Sequence, residues 1–230
     1  MKIERLHYFR DLFKEDQLSK DPYPSAYKWE CQEIFHREWD VETLDFAVMY
    51  DRALNHPISG NLWGGNHQSA KSVMLEFIEI NREFVRSMFK DLFSRQKDLT
   101  MRIQRFHFHC DQMLELVQKK RPKANDHFHD GYHMPTLYLA LRYPDEMVIY
   151  DPEVFQRVLL LIGAKNPGDS TLARFTKVTP IFQSQLRQDI ELMELLKRKI
   201  NLKIRQSHRS TRLPFASHHR TYTHKPHFNI

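Results

Sequence analysis

Two cysteines in 230 residues, Cys31 and Cys110, are too few for a disulfide framework and fit reduced thiols in a cytoplasm. The longest apolar run, VLLLI at 158–162, falls far short of the roughly 20 residues that a membrane-spanning helix needs. The opening MKIERLHYFRDLFKEDQ carries charges where a signal peptide has its apolar stretch. The expected place is therefore the cytoplasm, with no membrane partner. Glycine is also scarce, at 6 residues, and none follows Gly168. There is no Gly-x-Ser-x-Gly elbow, which argues against serine hydrolase chemistry. Gly60 and Gly65 have the spacing of a phosphate-binding loop, but Asn66 and His67 stand where Lys and Ser/Thr must be. No Glu-x-Lys element lies on a strand-like segment, so a magnesium nuclease is not supported. No catalytic residue and no cofactor are assigned.

What is present is an ordinary globular composition, with 41% apolar, 12% aromatic and 28% charged residues. The net charge of +6 is unevenly placed. From Lys197 onward there are nine Lys or Arg and no Asp or Glu: Lys197, Arg198, Lys199, Lys203, Arg205, Arg209, Arg212, Arg220 and Lys225. Removing these nine from the 35 basic residues leaves 26 against 29 acidic ones, so the preceding body is slightly negative. A cationic end of this kind binds phosphate backbones by counterion release, without reading sequence.

Helical periodicity recurs along the chain. Segments 1–18, 25–39, 41–54 and 70–80 each show it, with a DPYP turn at 21–24 and a loop, HPISGNLWGGNHQS, at 56–69. From Asn81 to Arg95, Phe84, Val85, Met88, Phe89, Leu92 and Phe93 form one broad apolar face, and Asn81 is placed to cap it. Asp98 to Lys120 reads as a longer helix that stops at Arg121–Pro122, and Pro135 to Tyr143 as a short one. Met147–Tyr150 (MVIY) is the best strand candidate. Asp151-Pro152-Glu153 starts a helix that Gly163 stops. Residues 170–199 read as helix interrupted at Pro180. The expected fold is mainly α: a compact multi-helix domain over 1–196 with a minor β element, followed by a basic, irregular, disordered tail over 197–230.

Two constellations bear on function. Arg82, Arg86 and Lys90 make an i, i+4, i+8 stripe beside the aromatic face, with Arg95 and Lys97 just beyond. A basic row flanked by aromatics suits nucleic-acid contact, although Glu83 and Asp91 are close enough to compensate it. Lys197, Arg198 and Lys199 extend the candidate set. Histidines cluster as His107 and His109 beside Cys110, and as His127, His129 and His133. Zinc prefers such ligands, but His107 and His109 lie about 200° apart on a helix, so at most one shares a face with Cys110. No metal ligand is therefore assigned, and a zinc-dependent enzyme built on the His cluster is kept as an alternative. Asp126 or Asp130 with His127 or His129 is a weaker basis for a hydrolase.

Three phrases stand together: KWECQEIFHREWDVETLDFAVMYDRAL, NLWGGNHQSAKSVMLEFIEINREFVRSMFKDLFSRQKDLTMRI and YLALRYPDEMVIYDPEVFQRVLLLIG. Over roughly residues 20–200 the chain resembles the N-terminal region of bacterial AAA-type ATPases similar to the nucleotide-hydrolysing subunit of the modified-cytosine restriction (McrB-like) system. The resemblance is best in RSMFKDLF at 86–93 and LRYPD at 141–145. It implies a region that precedes a motor domain. Here INLKIRQSHRSTRLPFASHHRTYTHKPHFNI follows instead, without a phosphate-binding loop, so no nucleotide-binding residue carries over. The resemblance then implies a shortened member whose motor was lost, its tail an out-of-frame remnant. The leading expectation is a non-catalytic recognition or regulatory module of a restriction or defence ATPase that binds DNA. The alternative is an adaptor docking on a separately encoded ATPase or nuclease subunit through exposed aromatics such as Trp63 or Tyr132.

Overall fold

The computed structural model describes residues 2–19, 26–62 and 68–210, and all the elements it contains there are helical. They are α1 (Ile3–Ser19), α2 (Tyr27–Glu38), α3 (Phe46–Ala53), α4 (Gln68–Leu92), α5 (Leu99–Lys120), α6 (His133–Arg142), α7 (Pro152–Leu161), α8 (Leu172–Gln188) and α9 (Ile190–Ser210). A short 3-10 turn, Ser59–Leu62, lies between α3 and α4. The expected DPYP turn and residues 63–67 of the Gly60–His67 loop fall outside the described residues.

Side-chain caps open α3, α5, α7, α8 and α9. Asp98 accepts from the Met101 N–H at the start of α5, and Asp151 from Glu153 and Val154 at the start of α7, satisfying amides that have no intrahelical acceptor. Gly163, with φ of +62°, takes the left-handed conformation that stops α7. Within α4 the backbone breaks at Asn81 (φ −152°, ψ 81°), whose side chain caps the second half by accepting from the Phe84 N–H at 3.1 Å. The expected junction between 80 and 81 is thus a kink inside one long element.

Three expectations are corrected. Met147–Tyr150 is irregular, and no strand exists among the described residues. A strand needs a neighbouring strand to pair its backbone; here the Tyr150 N–H goes to the Thr136 hydroxyl of α6 (2.9 Å). The break in residues 170–199 falls at Asp189, not Pro180. Pro180 lies on the exposed side of α8, and the carbonyl that loses its helical partner belongs to Thr176, also exposed, so the helix continues without a buried unpaired group there. Asp189 instead caps α9, accepting from the Leu192 N–H at 2.9 Å. Lastly, the boundary at 196/197 falls inside a helix: α9 runs to Ser210, with Leu195, Leu196, Lys199 and Ile200 buried. Residues 211–230 of the expected tail lie outside the described residues.

The core is centred on Phe89. Its ring lies 5.1 Å from Trp39, 5.2 Å from Tyr138, 5.6 Å from Phe106 and 5.9 Å from Tyr50, so α2, α3, α5 and α6 converge on the apolar face of α4. Edge-to-face geometry dominates these pairs, which places ring edges against ring faces. Of the six apolar residues expected on that face, Val85, Met88, Phe89, Leu92 and Phe93 are buried and Phe84 is packed against them. A second group, α1, α8 and α9, packs together through Leu192, Leu195, Leu196 and Ile200. It is tied by Lys14 and Arg10 to Asp189, and by the Lys2 N–H to the Ile162 carbonyl. None of the helices among the described residues is long and apolar enough to cross a membrane.

Candidate functional site

Each cation of the basic stripe on α4 has a partner within the protein, although Arg82 and Lys90 are exposed. Arg86 is only 8% exposed. Its guanidinium donates to the backbone carbonyls of Val41 and Thr43 (2.8 Å to Thr43), pairs with Glu83 at 3.0 Å and stacks over the Phe46 ring at 4.9 Å. Arg82 donates to the Leu44 carbonyl at 2.9 Å and also meets Glu83. Lys90 pairs with Glu42 at 2.7 Å. The three cations therefore staple residues 41–44 onto α4; that segment is irregular, where periodicity places the first turn of a helix. A planar guanidinium satisfies two carbonyls of an irregular segment at once. Glu83 answers the row: Arg82 and then Arg86 hold its carboxyl below the usual range. Further along, Arg95 pairs with Glu146 at 2.6 Å and covers the Tyr143 ring, while Lys97 and Arg105 both reach Asp91.

The remaining predicted cations lie on α9. Lys197 and Arg198 are exposed, whereas Lys199 is 8% exposed and belongs to the buried side of the helix. Tyr132, expected as a docking aromatic, packs against Tyr150 with ring centroids 5.3 Å apart; Trp63 lies outside the described residues.

A buried polar chain runs through the centre of the bundle. The Tyr50 and Tyr138 hydroxyls are 2.8 Å apart, and Tyr138 reaches His129 Nε2 at 3.1 Å. His129 Nδ1 faces the His127 carbonyl at 2.5 Å. His127 Nδ1 receives the His129 backbone N–H at 3.0 Å, and its Nε2 lies 3.2 Å from Asp111 and 3.5 Å from Asp130. Partner types fix the protons. A carbonyl needs a donor, so His129 carries its proton on Nδ1 and accepts from Tyr138 on Nε2. A backbone N–H needs an acceptor, so His127 carries its proton on Nε2 and gives it to Asp111. Burial pushes the Tyr50 and Tyr138 hydroxyls well above the ordinary phenol value, so both remain neutral donors.

This chain depends on a loop that looks unstructured in sequence. Phe128 adopts φ of +58° and Gly131 φ of +70°, and the turn between them and α5 buries both histidines, His127 at 2% and His129 at 0% exposure. Cys110, fully buried on the apolar face that α5 makes with Ile103, Phe106, Met113 and Val117, completes a group of three: one ligand atom of each of Cys110, His127 and His129 lies within 4.8 Å of the others. His107 lies one helical turn before Cys110, and its Nε2 is buried with no hydrogen-bond partner. Spacing along the chain did not reveal this grouping. The available signal was that Cys110 shares the i, i+3/i+4 core register of α5 and that His127 and His129 are separated by one residue.

One cavity of about 10 Å³ beside Cys31 and Leu62 has room for one water at most. An open groove of about 760 Å³ runs between Leu44–Ala47 and Ile78–Glu83, along the kink of α4. No known protein family, no curated protein and no solved structure matches this chain.

Proposed function

We propose that this chain is a non-catalytic recognition or regulatory module, of the kind implied by its resemblance to the front region of restriction-type ATPases, and that it contacts DNA through the cationic segment beginning at Lys197. The observation that carries this reading is the separation of charge: nine cations and no carboxylate from Lys197 onward, beside a body whose own basic row is matched by Glu42, Glu83, Asp91 and Glu146. A phosphate backbone gains most from a segment that carries cations and no carboxylates of its own, because counterion release then meets the least local opposition. Lys197 and Arg198 supply the part of that segment exposed on α9, and Lys199 anchors its inner side.

The test is a titration of the full chain with duplex DNA at several salt concentrations, against two full-length variants. Replacing Lys197, Arg198, Lys203, Arg205 and Arg209 by Gln weakens binding and flattens the logarithmic salt slope by about 0.9 for each phosphate that is no longer neutralised. Replacing exposed Arg82 and Lys90 by Gln leaves the slope unchanged. If the second variant abolishes binding and the first does not, the reading is wrong. Truncation at 196 is a poor alternative, since it removes Ile200 from the core of α9.

A docking role for the body is favoured by one observation. Leu44, which lines the open groove, is 85% exposed, and Arg82 of the same groove donates to its carbonyl. On that reading the chain forms a stable complex with a motor or nuclease subunit, Leu44→Glu disrupts it, and DNA affinity at physiological salt is negligible.

A further inference from the structure

We infer that Cys110, His127 and His129 form a structural binding site for a zinc-class divalent ion, which pins the 121–132 loop to α5. The inference is independent of any role in DNA contact. Thiolate and neutral imidazole are the ligands that zinc selects. Three such groups, with one ligand atom of each within 4.8 Å of the others, are sealed from solvent on two separate chain segments. Ligand atoms around a tetrahedral zinc stand roughly 3.3–3.8 Å apart, so the group needs to contract by about 1 Å, well within side-chain motion of a loop and a helix.

The hydrogen bonds already present prepare the two rings. His129 donates Nδ1–H to the His127 carbonyl and so offers Nε2. His127 donates Nε2–H to Asp111 and so offers Nδ1. These are the outer partners that hold metal-ligating histidines in one tautomer and raise their basicity, and Asp111–His127 is a carboxylate–histidine pair of that kind. On binding, the Tyr138 hydroxyl and the His129 backbone N–H give up their acceptors to the ion, and the Cys110 thiol loses its proton to solvent. The complex then holds one thiolate and two neutral imidazoles. Cys110, His127 and His129 are the three side-chain donors within 4.8 Å of one another among the described residues, so the fourth position of a tetrahedral ion falls to a small ligand such as water.

The experiment uses the full chain, stripped with a chelator and titrated with Co²⁺ alone, then with Zn²⁺. Expected are tetrahedral Co²⁺ bands saturating at one equivalent, a thiolate-to-Co²⁺ charge-transfer band, and displacement of both by Zn²⁺. Cys110→Ser loses the charge-transfer band and weakens Zn²⁺ binding by at least about tenfold, whereas Cys31→Ser changes neither. X-ray absorption on the Zn²⁺-loaded wild type needs no variant, and shows one sulfur at about 2.3 Å with nitrogen neighbours. An all-oxygen or nitrogen shell, octahedral Co²⁺ bands, retention of the charge-transfer band in Cys110→Ser, or no binding at all overturns the inference.

Discussion

Tyr50 and Tyr138 are 88 residues apart in sequence, and their hydroxyl oxygens meet at 2.8 Å in the centre of the bundle. Tyr138 is the hinge of that chain: it accepts from Tyr50 and donates to His129 Nε2, while its ring packs edge-on against Phe89 at 5.2 Å. Removing the Tyr50 hydroxyl breaks one bond; removing the Tyr138 hydroxyl leaves two buried groups unpartnered.

Tyr138→Phe is therefore expected to destabilise the fold more than Tyr50→Phe, by about 1–3 kcal/mol against about 1 kcal/mol, because an unsatisfied buried group costs its full desolvation. Urea denaturation of both variants and of the double variant measures it. Tyr138→Phe being as mild as Tyr50→Phe would show that the His129 contact contributes nothing.

Arg86→Ala is expected to destabilise by about 2–3 kcal/mol, since it strips the carbonyls of Val41 and Thr43 of a charged donor and uncovers the Phe46 ring. Arg86→Lys does not restore the stability, because an ammonium cannot reproduce the planar fork that spans two carbonyls. Full stability in the Lys variant would contradict the clamp.

Asp189 joins the α1–α8–α9 group, and its acid behaviour has a definite sign. Burial pushes its carboxyl up, but the Leu192 N–H, Lys14 and Arg10 outweigh burial and leave it below the ordinary value. A group depressed on folding contributes stability above its unfolded pKa and loses it as pH falls through the folded value. The thermal midpoint of the wild type should exceed that of Asp189→Asn at neutral pH, and the gap should close on acidification. Asp189→Ala, which also loses the cap on α9, is expected to cost about 1 kcal/mol more than Asp189→Asn.

Neither thiol is expected to react in the folded state. Burial pushes the Cys31 thiol up to about 12 and, in the metal-free chain, raises that of Cys110 as well, so almost no free thiolate exists there at pH 8. A disulfide reagent should label two thiols per chain in guanidinium and far fewer than one in native buffer over the same interval. Fast native labelling at either position would refute the packing around it.

Periodicity carried the helices a long way. The apolar face of residues 84–93, the cap at Asn81 and the starts at Asp98 and Asp151 were legible because each is written in residues three or four apart. What depended on distant partners was not. MVIY has strand-like residues, but strand formation needs a neighbour to pair with, and Thr136 took its backbone instead. The stripe of Arg82, Arg86 and Lys90 does lie on one helix, yet nothing local shows that Val41, Thr43, Leu44 and Glu42 lie opposite it.

The amino-acid order alone determined that this chain is helical, where most of its helices start and stop, and that its positive charge gathers at one end, since all three follow from propensity, capping and composition. Tertiary packing decided which charges face inward and which histidines meet a cysteine. Those outcomes depend on contacts between residues far apart in sequence, made only when burial of the aromatic core brings α2, α3, α5 and α6 against α4.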